Sequence, residues 1–218
     1  MVGMHRASAE LGRALCMSRQ AAATPPTGLE AKAKETVQAA VKAPGVTRAL
    51  WGQRVARRAA GLVGESVIPA RVPNDCSGLV RVAYYSVGVE LLHRPRREEN
   101  AVTAIYRRAA ALGAVHWGKP QVGDLIFFRE TYDRNGDGRR NDGLTHVGIV
   151  ESVASNGTVT FVHRVGPGVM RSRVNPRFPS VYSRGGRIFN DLLRRAEGKE
   201  PPRLTGDLFV GYASSARL

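Results

Sequence analysis

The first half of the chain, up to about residue 112, shows the spacing of apolar residues that is typical of helices. Apolar positions recur every three to four residues in three stretches, which we predict to be amphipathic helices over residues 46–64, 75–88 and 100–112. Asp75 stands where a helix N-cap is expected, and Gly113 stands where the third helix should end. The first half of the chain is therefore predicted to be helical.

The second half of the chain carries short β-branched and aromatic runs bounded by turn residues. These runs predict strands at residues 124–128, 146–150, 158–162 and 208–212. Helices followed by strands indicate an α+β fold. Asn156 and Gly157 form a tight-turn signal between the second and third strands, which makes those strands antiparallel neighbours. We therefore expect His146 and His163 at the same end of the sheet.

Length and composition fit one globular domain with a tail. The chain has 218 residues, of which 43% are hydrophobic and 23% charged, so it can bury a core. Residues 1–45 are predicted as a poorly ordered extension, because residues 24–28 (TPPTG) cannot continue a helix. The domain is predicted over residues 46–218. No apolar run is long enough for a membrane span, and no secretory signal is visible.

The charge balance points to an anionic partner. The chain has 33 Lys and Arg against 18 Asp and Glu, a net charge of +15, which attracts polyanions such as nucleic acid, anionic lipid or an acidic cell wall. Nucleic acid is the less favoured partner, because no binding motif with stacking aromatics accompanies the arginines and aromatic residues make up only 6%.

Cys76 is the strongest candidate for a catalytic residue. The chain has one other cysteine, Cys16, in so different a context that we predict no disulfide between them. Cys76 falls in the first turn of a predicted helix, where the dipole and unpaired N–H groups stabilise a thiolate. We therefore expect its pKa to lie below the roughly 8.5 of a free thiol. His146 is a candidate base and His163 a candidate orienting group. From these residue types alone, a buried structural cysteine beside a helix cap and a hydrogen-bonded histidine at a strand end are the commoner interpretation.

Four ordered blocks carry a family resemblance. They are residues 75–80 (DCSGLV), 123–128 (GDLIFF), 145–150 (THVGIV) and 161–163 (FVH). In this order they resemble the NlpC-type papain-like cysteine peptidases of bacterial cell walls. The resemblance implies a papain-like fold with N-terminal helices packed on a central antiparallel β-sheet, so that residues 46–218 would be an NlpC-type catalytic domain. It also implies a triad of Cys76, His146 and His163, with no cofactor required for catalysis.

The resemblance further implies a substrate and leaves alternatives open. The expected substrate is a peptidoglycan stem peptide, often cut between γ-D-glutamate and diaminopimelate, so the expected partners are peptidoglycan peptides or the anionic wall. That substrate implies the periplasm, the cell wall or secretion. The family usually has a Tyr shortly before the Cys, whereas residues 64–70 here read GESVIPA. A weak or inactive calcium-dependent wall-binding module therefore stays an alternative, as does an amidase or transacylase on the same scaffold.

A second signal precedes His146. Oxygen-bearing side chains alternate with the spacing of a calcium loop, and a peptide carbonyl could join them. The candidate ligands are Asp133, Asn135, Asp137, the carbonyl of Arg139, Asn141 and Asp142. An EF-hand would have Glu at the position that Leu144 occupies, so the motif is incomplete. The sequence is compatible with a structural calcium ion or with a polar surface turn.

Overall fold

The computed structural model describes residues 44–68, 70–196 and 200–218, with side chains from Leu50 onward. The extension predicted for residues 1–45 lies outside the described residues up to residue 43, and Cys16 lies there with it. Among the described residues, no helix combines the length and apolarity that crossing a bilayer requires.

Three helices precede the sheet, as the apolar spacing predicted. They are α1 (Pro44–Ala60), α2 (Cys76–Tyr85) and α3 (Ala101–Ala111). The Asp75 side chain caps α2 by accepting from the backbone N–H of Gly78 at 2.9 Å, and the Asn100 side chain caps α3 in the same way. Helix α1 ends four residues earlier than predicted, because the chain turns over residues 61–64 and Gly64 adopts a φ of +96°.

A six-stranded antiparallel sheet follows the helices. Its strands are β1 (Val115–His116), β2 (Leu125–Arg129), β3 (Leu144–Val153), β4 (Val159–Val165), β5 (Gly168–Val174) and β10 (Phe209–Ala213), in the spatial order β1-β10-β2-β3-β4-β5. The four predicted strands are confirmed, and the predicted turn joins β3 to β4, with Gly157 at a φ of +86°. The predicted α+β fold class, with N-terminal helices packed on a central antiparallel sheet, is thereby confirmed.

Smaller elements complete the described chain. Two short ladders pair β6 (Ser183–Arg184) with β7 (Arg187–Ile188), and β8 (Leu192–Arg194) with β9 (Arg203–Leu204). A short helix α4 (Thr205–Leu208) leads into β10, and a 3₁₀ turn (Ser215–Arg217) ends the chain.

The sheet separates two apolar clusters, one on each of its faces. On one face, α1, α2 and α3 bury residues such as Leu79, Phe127 and Val147. The opposite face buries a smaller cluster that includes Phe128 and Phe161. Successive residues of a strand point to opposite faces, so neighbours such as Phe127 and Phe128 join different clusters. The N-terminus of α2 meets the sheet beside β3.

Candidate active site

Cys76 is the first residue of α2, as predicted. Asp75 caps the helix and also accepts from the Ser77 hydroxyl at 2.7 Å, which fixes the first turn. Gly78 permits a close approach of this turn to the preceding link, because a Cβ there would lie 1.8 Å from the carbonyl oxygen of Pro73. The sequence DCSG therefore combines a cap, a thiol and a glycine that holds the helix tip against the rest of the chain.

The Cys76 thiol lies against the backbone of β3 beside His146. Sγ donates to the carbonyl oxygen of Thr145 at 4.0 Å, and the Val147 N–H also interacts with the sulfur. The pKa of Cys76 is raised from 9.0 to about 12, mainly by burial of the sulfur. The backbone N–H of Val147 opposes this rise, the Asp75 carboxylate adds a smaller increase, and the N–H groups at the helix tip oppose it slightly. The predicted lowering of this pKa is wrong, because desolvation outweighs the helix N-terminus.

The two candidate histidines are brought together. His146 lies on β3 and His163 on β4, and His146 Nε2 lies 2.8 Å from His163 Nδ1 with the rings nearly perpendicular. Burial lowers the pKa of His146 to about 4 and lowers the pKa of His163 well below its ordinary value. Both rings are therefore neutral at pH 7. Phe128 and Phe161 pack against the rings from the second apolar cluster.

A glycine between the histidines makes their contact possible. A Cβ at Gly148 would lie 2.8 Å from a ring carbon of Phe161, 2.9 Å from the carbonyl oxygen of Val162 and 3.3 Å from the Cβ of His163. Such a Cβ would push β4 and the His163 ring away from β3. The glycine in the THVGIV block thus serves the pairing of the two rings.

Cys76 and His146 share a groove without a direct hydrogen bond in this structure. Since His146 directs Nε2 to His163, its Nδ1 is the nitrogen left for the thiol. The thiol donates instead to the carbonyl oxygen of Thr145. The two side chains and His163 nevertheless line the same groove, which has a volume of about 1420 Å³.

The groove is basic on one side. Five arginines line it: Arg164, Arg171, Arg173, Arg194 and Arg195. Arg171 and Arg173 form two-point ion pairs with Glu151 and Asp191. Arg164 donates to the carbonyl oxygen of Ser66 and has no carboxylate partner among the described residues. The groove thus offers an uncompensated guanidinium to an anionic ligand.

Besides Arg164, sequence reasoning missed two side chains at the site. Ser172, on β5, lies 2.9 Å from His163 Nε2 through its Oγ. Its strand was not predicted, although the alternation of residues 168–174 (GVMRSRV) is compatible with one. Tyr132 lines the groove close enough to Cys76 that the pKa of its phenol is raised, first by burial and then by the thiolate charge. It supplies an aromatic group at a site that lacks the expected upstream Tyr.

The candidate calcium loop is held by its own hydrogen bonds. Both carboxylate oxygens of Asp133 accept backbone N–H groups at 2.7 Å, from Gly136 and Gly138, while Asp137 accepts from Asn135, Arg139 and Asn141. The carboxylate of Asp142 accepts from the Arg134 N–H.

The carboxylates of the candidate calcium loop do not converge on a common point among the described residues. Across residues 44–68, 70–196 and 200–218, no three His, Cys, Asp or Glu side chains converge as a metal site would require. The contacts correspond to the polar-turn alternative. Calcium binding stays a prediction, which calorimetry with Ca²⁺ tests directly.

The comparison with known families agrees with this geometry. Residues 69–164 match the family described as the CHAP domain, and the matched segment contains Cys76, His146 and His163. No curated protein matches the chain in sequence. The expected resemblance to papain-like cell-wall cysteine peptidases is confirmed, while the NlpC type specifically is not. The match indicates a peptidoglycan-hydrolysing peptidase or amidase activity. Over residues 69–164 the chain is thus similar to the CHAP domain, a family of papain-like cysteine peptidases and amidases found in cell-wall hydrolases.

Proposed function

We propose that this protein is a cysteine peptidase that hydrolyses amide bonds of peptidoglycan stem peptides through Cys76, His146 and His163. The observation that carries the proposal is the 2.8 Å contact between two buried imidazoles in the groove that also holds the thiol at a helix tip. A nucleophile, a base and a group that orients the base are the three parts that acyl transfer by a thiol requires.

The resting site holds a neutral thiol and a neutral imidazole, so the proton must move during attack. As Sγ turns from Thr145 toward the substrate carbonyl, His146 Nδ1 takes the thiol proton and the new C–S bond forms. The N–H groups of Cys76 and Ser77 belong to the first turn of α2, where they have no intrahelical acceptor, and they stabilise the oxyanion once the sulfur has moved away from them. His146 then protonates the leaving amine, and water hydrolyses the thioester.

The charge of the groove supports an acidic peptide as substrate. Stem peptides with γ-linked glutamate and diaminopimelate carry free carboxylates near the bond that is cut. Arg164, which follows His163 directly and lacks a carboxylate partner among the described residues, is positioned to bind one of them. We therefore propose the γ-D-glutamyl-diaminopimelate bond as the one that is cleaved.

The test is digestion of defined muropeptides followed by mass spectrometry. The wild type should release two fragments, while Cys76→Ala and His146→Ala should lose at least about a thousandfold in kcat/KM because the nucleophile or base is absent. His93→Ala is the matched control, since His93 is exposed and outside the groove. Turnover by Cys76→Ala would contradict the proposal. Products that identify an amidase or an acyl transfer to an amine would change the bond or acceptor but keep the nucleophile.

The second candidate is a wall-binding module with weak or no chemistry. It is favoured by the raised pKa of Cys76 and by the bond of its thiol to Thr145 rather than to His146. Sedimentation with purified sacculi distinguishes the two functions. Equal binding by wild type and Cys76→Ala, together with no fragments from either protein, would support the binding module.

A further inference from the structure

A fourth polar group continues the line of the two imidazoles. Ser172 is only 6% exposed, and its Oγ lies 2.9 Å from His163 Nε2. On its other side, His163 Nδ1 lies 2.8 Å from His146 Nε2. Strand pairing fixes this arrangement, because β5 places Ser172 opposite Phe161, two residues before His163 on β4. Ser172 lies beyond residues 69–164, the segment that the CHAP family covers.

We propose that Ser172 is a positioning residue of this site, whose hydroxyl oxygen accepts the Nε2–H of His163 whenever the two imidazoles share the proton of Cys76. The inference rests on the proposed function, because it concerns the step in which Cys76 loses its proton. Ser172 acts through His163 and does not touch the reacting atoms.

Counting hydrogens gives the direction of this hydrogen bond. A neutral imidazole carries one N–H, so the two neutral rings carry two hydrogens on four nitrogens. One of these hydrogens lies between His146 Nε2 and His163 Nδ1, since that contact is a hydrogen bond. When the proton of the Cys76 thiol reaches His146 Nδ1, the pair carries three hydrogens. Both outer nitrogens are then protonated, whichever ring bears the charge.

In that charged state His163 Nε2 is therefore always a donor. Ser172 Oγ is its hydrogen-bond partner in the described structure, and the hydroxyl hydrogen is free to rotate away. In the resting state the same hydroxyl is either donor or acceptor, because His163 Nε2 carries a hydrogen in only one of the two tautomers. Hydrogen bonds to ionised groups are stronger than neutral ones. Ser172 consequently stabilises the charged state more than the resting state, which is the condition for accelerating the reaction.

Few other charged or titratable groups act on the two rings. Asp75, the N-cap of α2, favours the protonated form of His146, while His146 disfavours protonation of His163. Arg171 and Arg173 flank Ser172 along β5, and each is bound to a carboxylate. Within the described residues, no carboxylate contacts His163. The neutral hydroxyl of Ser172 therefore occupies the place that a carboxylate could take at the end of such a relay.

The test compares Ser172→Ala with Ser172→Thr, which keeps the hydroxyl. Ser172→Ala should lower kcat on muropeptides by about 10- to 100-fold, the effect of losing a hydrogen bond to a charged group, with KM unchanged within about twofold. Ser172→Thr should recover most of kcat. The matched control is Ser215→Ala, which removes a buried hydroxyl bound to Asp124 and outside the groove. It should leave kcat unchanged.

Histidine ¹⁵N NMR provides a readout that does not depend on turnover. In the wild type, acid titration of the pair should yield a hydrogen-bearing His163 Nε2, and Ser172→Ala should shift that titration to lower pH. Equal kcat and equal titration in wild type and Ser172→Ala would overturn the proposal, as would a Ser172→Thr variant as impaired as Ser172→Ala.

If the wild type cleaves no muropeptide, the proposed function fails while the spectra still decide the role of Ser172. If Ser172→Ala does not fold, the spectra of wild type and Ser172→Thr still test the role of Ser172. A His163 Nε2 without a hydrogen, after the histidine pair has taken up one proton, would overturn the proposal.

Discussion

The state of the Cys76 thiol leads to a quantitative prediction about its alkylation. Burial raises its pKa from 9.0 to about 12, a difference of about three units. At pH 7 the thiolate fraction is then about a thousandfold smaller than in an unperturbed thiol. A more basic thiolate is also more nucleophilic, with a Brønsted coefficient of about 0.4–0.5, which recovers about 15- to 30-fold. We therefore expect Cys76 to react with iodoacetamide roughly fifty-fold more slowly than a small free thiol at pH 7.

The pH dependence of this alkylation separates the neutral pair from an ion pair. Intact-mass measurements on a Cys16→Ser background report on Cys76 alone, since the chain has two cysteines. The rate should rise about tenfold per pH unit from pH 7 to pH 10 without a plateau. His146→Ala should leave the rate at pH 9 nearly unchanged, because a neutral imidazole does not hold a thiolate. A plateau between pH 5 and 8 that disappears in His146→Ala would refute the reasoning and establish a resting thiolate–imidazolium pair.

Three further predictions follow from contacts in and near the groove. Gly148→Ala should lower the free energy of unfolding by about 1–3 kcal/mol in urea titrations, because the new Cβ displaces His163; full stability would contradict the close packing. The pKa of buried His146 is lowered from 6.5 to about 4. Between these two pH values the unfolded chain binds a proton that the folded protein does not, so the free energy of unfolding falls as the pH is lowered from 6.5 to 4. Urea titrations should show wild type losing about 3 kcal/mol more than His146→Gln over that interval, and equal losses would disprove the shift. Arg164→Gln should raise KM about tenfold for a peptide with free carboxylates and leave an amidated peptide unaffected; equal effects on both would exclude carboxylate binding.

The elements that local signals specify were the ones that the sequence could predict. Asp75 and Asn100 cap their helices through short-range hydrogen bonds, and the turn at Gly157 needs only local backbone geometry. These features could be predicted because each depends on residues within a few positions of one another. The proximity of His146 and His163 followed from the same hairpin.

The features that depend on long-range packing could not be predicted. Ser172 reaches His163 only through the pairing of β4 with β5, a strand whose sequence alternates weakly. The pKa of Cys76 was predicted in the wrong direction, because a helix N-terminus is visible in the sequence while the burial of the sulfur against β3 is not. The sharing of the groove by Tyr132 and Arg164 likewise depends on tertiary structure.

The most direct test of Cys76 as the nucleophile is detection of the acyl-enzyme. Wild-type protein mixed with a defined muropeptide, quenched in acid and digested, should yield the peptide containing Cys76 with the mass of the acyl fragment attached. Hydroxylamine should remove that added mass, as expected for a thioester. Fragmentation of the muropeptide with no thioester on Cys76, and at an undiminished rate in Cys76→Ala, would contradict the account.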